Sequence, residues 1–239
     1  MKLLLIRTFI ILATVSMVSC KEEQGNENIT PINLSDDYSF CNLQLTSCLN
    51  GNGIYCLFGF KWGQDSLFMQ SGYDAQGPRS SGGIITYSFQ EENGLINTHR
   101  QVNLRSNSFS GILSCAKTEI RNALSSWAQV ADIEFEELSE NSMADIRFYT
   151  ADIIQSGIGY PNYPDDLCDD LAGNVIIKSS LGIDDCNLFY IFALHEIGHV
   201  LGLGHVETEN VMNQDFFDFN FQELQTGDIM GIVELYGGN

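Results

Sequence analysis

The order of the predicted elements favours an α/β (α+β) domain over residues 80–239, in which helices back a twisted mixed β-sheet. Two sequence patterns support this prediction. The β-branched and aromatic run at 83–89 is typical of a strand, and apolar residues recur at three- and four-residue spacing through 115–130, as on one face of a helix. Because three strand-like runs and two apolar helical runs follow, the segment has enough elements for a helix-backed sheet.

The other elements are predicted from composition and alternating polarity. Strands are expected at 133–138, 144–149 and 174–179, and helices at 189–203 and 221–236. Residues 157–170 mix Gly, Pro, Tyr and Asp and predict a loop. Residues 29–80 show no sustained helical period and predict a loop-rich segment with short strands at 53–60 and 66–70.

The composition is typical of a globular, acidic protein that does not bind nucleic acid. Of the 239 residues, 44% are hydrophobic and 11% aromatic, which is enough apolar side chain to build a core. Eleven Lys and Arg against 31 Asp and Glu give a formal net charge of −20. Because this charge repels phosphates and anionic lipid surfaces, we expect no nucleic-acid partner.

Residues 1–19 predict a signal peptide that ends before a lipidated cysteine. Lys2 and Arg7 accompany an apolar run that is too short for a good membrane-spanning helix. The ending Val18-Ser19-Cys20 resembles a bacterial lipoprotein signal, and the alternative is an ordinary signal peptide with a cysteine near its cleavage site. We therefore expect export, either to the bacterial cell envelope (outer membrane or surface) through a lipid anchor on Cys20 alone or as a secreted protein.

Six cysteines remain after Cys20, and an even number in an oxidising compartment favours up to three disulfides. Six cysteines allow 15 connectivities, so spacing alone does not fix the pairs. Cys168 with Cys186 is the preferred local pair. A bond from Cys115 to one of the N-terminal cysteines would keep the N-terminal segment attached after cleavage near residue 80.

Three of the four histidines fall within residues 195–205. His195 and His199 are one helical turn apart, so both imidazoles lie on one face and can hold one ion. Gly202 permits the left-handed turn that ends the helix and lets His205 reach the same ion. A buried helical histidine is usually only a packed residue, but this spacing favours a metal site; His99, by contrast, is predicted to lie in a solvated loop.

Three nitrogen ligands leave a fourth position for water, which is typical of catalytic rather than structural zinc. Zinc lowers the pKa of bound water from about 15.7 to near 7, which supplies a nucleophile at neutral pH. Glu196, beside the first ligand, can take a proton from that water and pass it to a leaving amine. The sequence therefore predicts a hydrolytic centre with Glu196 as its general base.

The run His195-Glu196-Ile197-Gly198-His199-Val200-Leu201-Gly202-Leu203-Gly204-His205 resembles the HExxHxxGxxH signature of the metzincin metalloproteases. Met212 is similar in spacing to the Met-turn of the matrixin branch. The resemblance covers residues 80–239, the predicted catalytic domain, with 20–79 as a tether and cysteine-containing segment that could serve as a propeptide. Val206 and Asn213 depart from the Ser and Tyr that matrixins tend to have there.

The resemblance implies a sheet subdomain, a small C-terminal subdomain after the active-site helix, and a cleft that binds an extended peptide. It also implies that strand 174–179 is the sheet edge that pairs with substrate. Animal matrixins hold a second, structural zinc with further histidines, but this chain has no His between 100 and 194, so one catalytic Zn²⁺ is expected. Ca²⁺ is a further candidate ligand for Asp165, Asp166, Asp169 and Asp170, although acidic loops are more often solvated.

Latency is the other property that the resemblance suggests. A cysteine switch would leave an odd number of cysteines to form disulfides, so Asp74 is the better candidate for a residue that blocks the zinc. The alternative is that Asp74 belongs to an ordinary surface turn.

The sequence as a whole predicts a monomeric, exported zinc endopeptidase that cleaves protein or peptide substrates. Two alternatives remain open: a surface lipoprotein that uses the fold only for binding, and a zinc hydrolase acting on other amides or esters.

Overall fold

The computed structural model of the protein describes residues 31, 34, 48, 52–63, 70–77, 79–92, 94–96, 104–163 and 168–239. Its strands are β1 (Cys56–Leu57), β2 (Gly72–Tyr73), β3 (Gly83–Phe89), β4 (Leu95–Ile96), β5 (Leu104–Arg105), β6 (Ile133–Glu137), β7 (Ile146–Ala151), β8 (Gly157–Gly159) and β9 (Asn174–Lys178). Its helices are α1 (Ala116–Ala128), α2 (Cys186–Leu201) and α3 (Thr226–Tyr236). Short 3₁₀ turns occur at Phe109–Gly111, Asp169–Leu171 and Phe216–Asp218.

The central sheet has five strands in the order β6-β3-β7-β9-β8. Four of them run parallel, and β8 alone is antiparallel, paired with β9. Two small antiparallel ladders, β1 with β2 and β4 with β5, lie outside this sheet. The predicted α/β class, with helices on a mixed sheet, is confirmed.

The edge of the sheet differs from the prediction. β9 lies inside the sheet, between β7 and β8, so the expectation that 174–179 forms the edge is wrong. The edge strands are β6 and β8, and β8 falls within the range predicted as a loop. Gly157 and Gly159 give this segment little intrinsic strand preference, but its backbone pairs with Val175 and Ile177 of β9.

Helices α1 and α2 pack together and are also joined covalently. The indole of Trp127, fully buried, donates to the backbone oxygen of Leu194 at 3.2 Å. Cys115 and Cys186, next to the first turns of the two helices, form a disulfide. The preferred pair Cys168–Cys186 is therefore wrong, as is any bond from Cys115 to an N-terminal cysteine; Cys168 is itself disulfide-bonded.

Residues 52–63 pack into the part of the domain that follows α2. Leu57 is fully buried and forms a β-bridge with Leu203, and Cys56 forms a disulfide with Cys48. The Lys61 ammonium is buried and donates to Leu235 O at 3.2 Å and to both oxygens of Ser80. This part of the segment that the sequence predicts as loop-rich therefore packs in the core.

Several predictions fall on residues outside the described part of the chain. They are the signal peptide 1–19, Cys20, His99, Asp165 and Asp166, together with the side chain of Asp169. Within the described residues, no helix combines the length and apolar character needed to cross a membrane.

Candidate metal centre

Helix α2 carries the predicted metal motif and is buried along most of its length. It begins three residues earlier than the apolar run suggested, because the Asp185 carboxylate caps it by accepting the Leu188 N–H at 2.9 Å. It ends at Gly202, whose φ of 108° lies in the left-handed region. The chain therefore reverses at the point that the sequence predicted and brings His205 back towards the helix.

The three histidines meet through one nitrogen each. The Nε2 atoms are separated by 3.1 Å for His195 and His199, 3.1 Å for His199 and His205, and 3.2 Å for His195 and His205. Two nitrogen ligands that each lie about 2.05 Å from a tetrahedral ion are about 3.3 Å apart. The triangle of Nε2 atoms is therefore the size that one zinc ion requires.

Backbone oxygens fix the tautomers of two of these rings. His195 Nδ1 lies 2.7 Å from Val211 O, and His199 Nδ1 lies 2.8 Å from Leu203 O. A carbonyl oxygen can only accept, so each Nδ1 carries the proton and each Nε2 presents its lone pair. Burial lowers the pKa of all three imidazoles, that of His195 to about 3, which keeps them in the neutral form that binds metals.

Histidine nitrogens of this number and spacing suit zinc, with a fourth position left for water. Among the described residues, the other group of nearby potential ligands is Cys115, Glu119 and Cys186. Its two sulfurs are joined in a disulfide, so they are not available as thiolates.

Glu196 is buried beside the first ligand and lines the same cavity. Burial raises the pKa of its carboxyl to about 8, and a hydrogen bond with the Gly159 backbone opposes that rise. Its Oε2 atom has no hydrogen-bond partner within the described residues. A buried acceptor without a partner calls for one, and a water or substrate group in the cavity would supply it.

Met212, which the sequence predicts as the Met-turn residue, lies against helix α2. A methyl group added to Gly198, between the two helical ligands, would collide with the sulfur of Met212. The turn is held from the other side by Asp228, whose carboxylate accepts the N–H groups of Val211 at 2.9 Å and Met212 at 3.1 Å. Val211 O in turn binds His195, so Asp228 supports the metal site through two short links.

A cavity of about 370 Å³ opens over the metal site between the sheet edge and the segment after His205. Residues 156–159, around β8, form one side. Phe192, Phe216 and Phe217 contribute aromatic surface, and the Phe216 ring stacks on His195 with 4.3 Å between centroids. β8 is an edge strand, so within the described residues its backbone pairs with a strand on one side only.

The structure brings together His195, Glu196, His199, His205 and Met212, but not Asp74. Asp74 lies in the turn at the end of β2, where its carboxylate accepts the Ile54 N–H at 3.0 Å. Asp74 does not line the cavity, and its role in latency stays a prediction. Sequence reasoning missed other contributors, chiefly Phe58, Gly157 and Asp228, because no local motif marks them.

Comparison with known proteins agrees with this geometry. Residues 175–237 match the Matrixin family model. Matrixin-type relatives include Metalloendoproteinase 1-MMP of Arabidopsis thaliana, which is 28% identical over 147 residues, 52% of this chain and 38% of that protein. Hatching enzyme of Paracentrotus lividus is 30% identical over 52% of this chain and 23% of its own length. Stromelysin-2 of Rattus norvegicus is 33% identical over 49% of this chain and 28% of its own length.

These matches support a matrixin-type metallopeptidase domain, and the α/β model is consistent with one. The matched family segment contains all but the first residue of β9, together with α2, the three histidines, Met212 and α3. The aligned regions span less than two-fifths of each relative's own length.

Proposed function

We propose that the protein is an exported, zinc-dependent endopeptidase with His195, His199 and His205 as metal ligands and Glu196 as general base. The observation that carries this proposal is the Nε2 triangle, with edges of 3.1–3.2 Å, beside a buried carboxylate that has an unpartnered oxygen. The matrixin match and the name of the Arabidopsis relative support the same reaction class.

The residues of the site divide the reaction between them. The three histidines would hold a zinc ion, which would supply a Lewis acid and lower the pKa of a bound water to near 7. Glu196 is placed to accept a proton from the attacking water and to donate it to the departing nitrogen of the cleaved peptide bond. Residues 156–159 offer backbone groups that can pair with an extended substrate and hold the scissile bond in place.

Digestion of a broad peptide library by the zinc-loaded protein tests this function. Cleavage should stop with a chelator and return with zinc. Glu196→Gln removes the base but keeps the side-chain volume, so turnover should fall at least about 100-fold while one zinc per chain remains bound. Glu209→Gln, on an exposed residue, is the matched control and should retain activity.

The outcomes separate the alternatives. Hydrolysis of small esters or amides without peptide cleavage would indicate a different zinc hydrolase. Absence of any turnover in the zinc-loaded protein, with tight binding of a protein or glycan, would indicate a binding lipoprotein. Peptide cleavage that survives complete removal of zinc would overturn the mechanism.

The cellular location is a further part of the proposal. The signal-like residues 1–19 and the disulfides Cys48–Cys56 and Cys115–Cys186 support an oxidising compartment outside the cytosol. Cys20 would carry the lipid. Cys20→Ala should move the protein from the membrane fraction to the soluble fraction, and an unchanged distribution would exclude the anchor.

Latency through Asp74 remains a prediction. Release of a zinc block should raise the activity of the unprocessed Asp74→Ala variant above that of the unprocessed wild type. Unchanged activity with a lower melting temperature would indicate that Asp74 only stabilises the turn through its hydrogen bond with Ile54.

A further inference from the structure

The N-terminal segment is built into the frame that holds the third metal ligand. The Phe58 N–H donates to Gly202 O at 2.9 Å, and the Gly204 N–H donates to Cys56 O at 2.8 Å. These two bonds flank the bridge between Leu57 and Leu203. Residues 56–58 therefore pair, strand against strand, with the link that leads from α2 to His205.

The same segment forms one wall of the catalytic cavity. Phe58 and Cys48 both line the cavity, and the Phe58 ring stacks on His199 with centroids 5.9 Å apart and planes 24° from parallel. The Cys48–Cys56 disulfide joins this wall to the paired strand. Phe58 thus lies beside one metal ligand while Phe216 stacks on another, so aromatic rings approach the site from two directions.

Close packing beneath this wall fixes its position. A methyl group on Gly204 would lie 2.8 Å from Phe58 Cε1 and would collide with the sulfur of Cys48. Only a residue without a side chain permits the disulfide and the ring to approach the chain next to His205 this closely. The wall is therefore a preformed surface with little freedom to move aside.

The chemistry of the wall selects the group that would bind there. An aromatic ring and a disulfide offer soft, apolar surface with no hydrogen-bond donor. Glu196 is the only carboxylate among the described residues that line the cavity, and no Lys or Arg is among them. An uncharged, apolar side chain would be favoured, whereas a charged one would lose its hydration without a partner.

We propose that Phe58 and the Cys48–Cys56 disulfide form a substrate subsite that binds an apolar, preferentially aromatic, side chain next to the scissile bond. This inference rests on the proposed peptidase function and adds a specificity determinant to it. The residues lie upstream of 175–237, so they extend the site beyond the segment that matches the Matrixin model.

Binding of peptide hydroxamates to the full-length, zinc-loaded protein tests the subsite without requiring turnover. Two series of compounds extend to either side of the hydroxamate, and members of each differ only in one side chain: Phe, Leu, Ala or Glu. In one series the wild type should bind the Phe compound about tenfold more tightly than the Ala compound. Phe58→Ala should reduce that ratio to less than threefold, with the Kd of the Ala compound nearly unchanged.

Two further variants complete the test. Phe219→Ala removes a half-buried ring that does not line the cavity, and it should retain the wild-type ratio. Phe58→Leu keeps apolar volume and should retain binding of the Leu compound while weakening that of the Phe compound. If Phe58→Ala does not fold, the binding preference of Phe58→Leu alone tests the proposal.

Each result has a clear meaning. An unchanged ratio in Phe58→Ala and Phe58→Leu would overturn the proposal, as would equal weakening of all compounds together with loss of zinc, which indicates only a structural role. Selective loss of the preference would support it. If the wild type cleaves no peptide but shows a preference that depends on Phe58, the subsite stands and the peptidase proposal fails.

Discussion

At the residue scale, the metal site depends on groups that are distant in sequence from its ligands. His195 donates to the backbone oxygen of Val211, sixteen residues further along the chain. The Val211 N–H in turn donates to Asp228, seventeen residues beyond Val211. Asp228 also accepts the Gln225 N–H at the start of α3. One buried carboxylate therefore accepts three backbone N–H groups and fixes the position of Met212 against helix α2.

Asp228→Ala should weaken both folding and zinc binding. It leaves three N–H groups near a cavity without an acceptor, at a cost of about 1–3 kcal/mol for each that water does not reach. The melting temperature should fall, and zinc affinity should drop about 10-fold or more because His195 loses its support. Thermal unfolding and zinc competition with a chelating dye measure the two effects, and Asp218→Ala, on an exposed residue, is the control. Wild-type zinc affinity in Asp228→Ala would contradict the supporting role.

The contrast between His195 and Asp228 shows which residues a sequence can reveal. His195, Glu196, His199 and His205 follow from helical geometry and one glycine turn, because their relations are local. Asp228 and Phe58 act through long-range contacts, and no spacing rule connects them to the motif. Asp74 was marked by its position in the chain, whereas its carboxylate is engaged with Ile54.

At the element scale, strand β8 explains why the predicted loop is part of the site. Helix α2 passes so close to this strand that a methyl group on Gly157 would lie 2.5 Å from Phe192 Cζ and 2.8 Å from Glu196 Oε1. A methyl group on Gly159 would collide with the Glu196 backbone oxygen. The glycines that make the sequence look like a loop are thus the residues that allow an edge strand to lie against the catalytic helix. The interior strands β3 and β9 were predictable because β-branched residues mark them directly.

Gly157→Ala should lower kcat strongly and change the free energy of unfolding only slightly. The added methyl must displace Glu196 or Phe192, and a displacement of about 1 Å at a catalytic group can cost about 100-fold in rate. Steady-state kinetics with a cleaved library peptide measure the effect. Gly111→Ala, where a methyl group meets no atom within 4 Å, is the control for a simple Gly-to-Ala change. Equal kcat values for Gly157→Ala and the wild type would show that this approach is not critical.

An ion pair between α1 and β6 makes the free energy of unfolding depend on pH. Arg121 holds Glu137 with two hydrogen bonds of 2.6 Å, and this pairing lowers the pKa of Glu137 below its usual 4.5. A lowered carboxyl pKa stabilises the fold above the unfolded pKa, and that stability is lost as pH falls through the folded pKa. Glu137→Gln should therefore flatten the fall in urea midpoint between about pH 5 and pH 3. An acid limb as steep as that of the wild type would exclude Glu137 as a contributor.

At the scale of the whole molecule, hydrogen bonds and ion pairs join residues on the two sides of the boundary that the sequence predicts near residue 80. The sequence predicts a domain boundary near residue 80, and residues 56–58, which lie before it, pair with the chain next to His205. The Arg79 guanidinium lies 2.5 Å from Glu234 of α3, and the Gly77 N–H donates to the same carboxylate. Composition predicted a loop-rich segment because β1 has only two residues, and the bridge between Leu57 and Leu203 joins positions far apart in the chain.

Disulfide pairing failed for the same reason, and the correct pair makes a quantitative prediction. Local spacing favoured Cys168–Cys186, whereas the fold brings Cys115 to Cys186 across a separation of 71 residues, where α1 and α2 begin side by side. Closing a loop of that length reduces the entropy of the unfolded chain by an amount worth about 4 kcal/mol. The double variant Cys115→Ala/Cys186→Ala should therefore have a free energy of unfolding about 4 kcal/mol below that of the wild type. Urea denaturation without reductant measures the difference while the other disulfides stay closed. Because the disulfide lies at the far end of α2 from His199 and His205, zinc stoichiometry should stay at one per chain in the folded variant. A free energy of unfolding within about 1 kcal/mol of the wild type would show that packing of Trp127 against α2, rather than the covalent link, holds the two helices together.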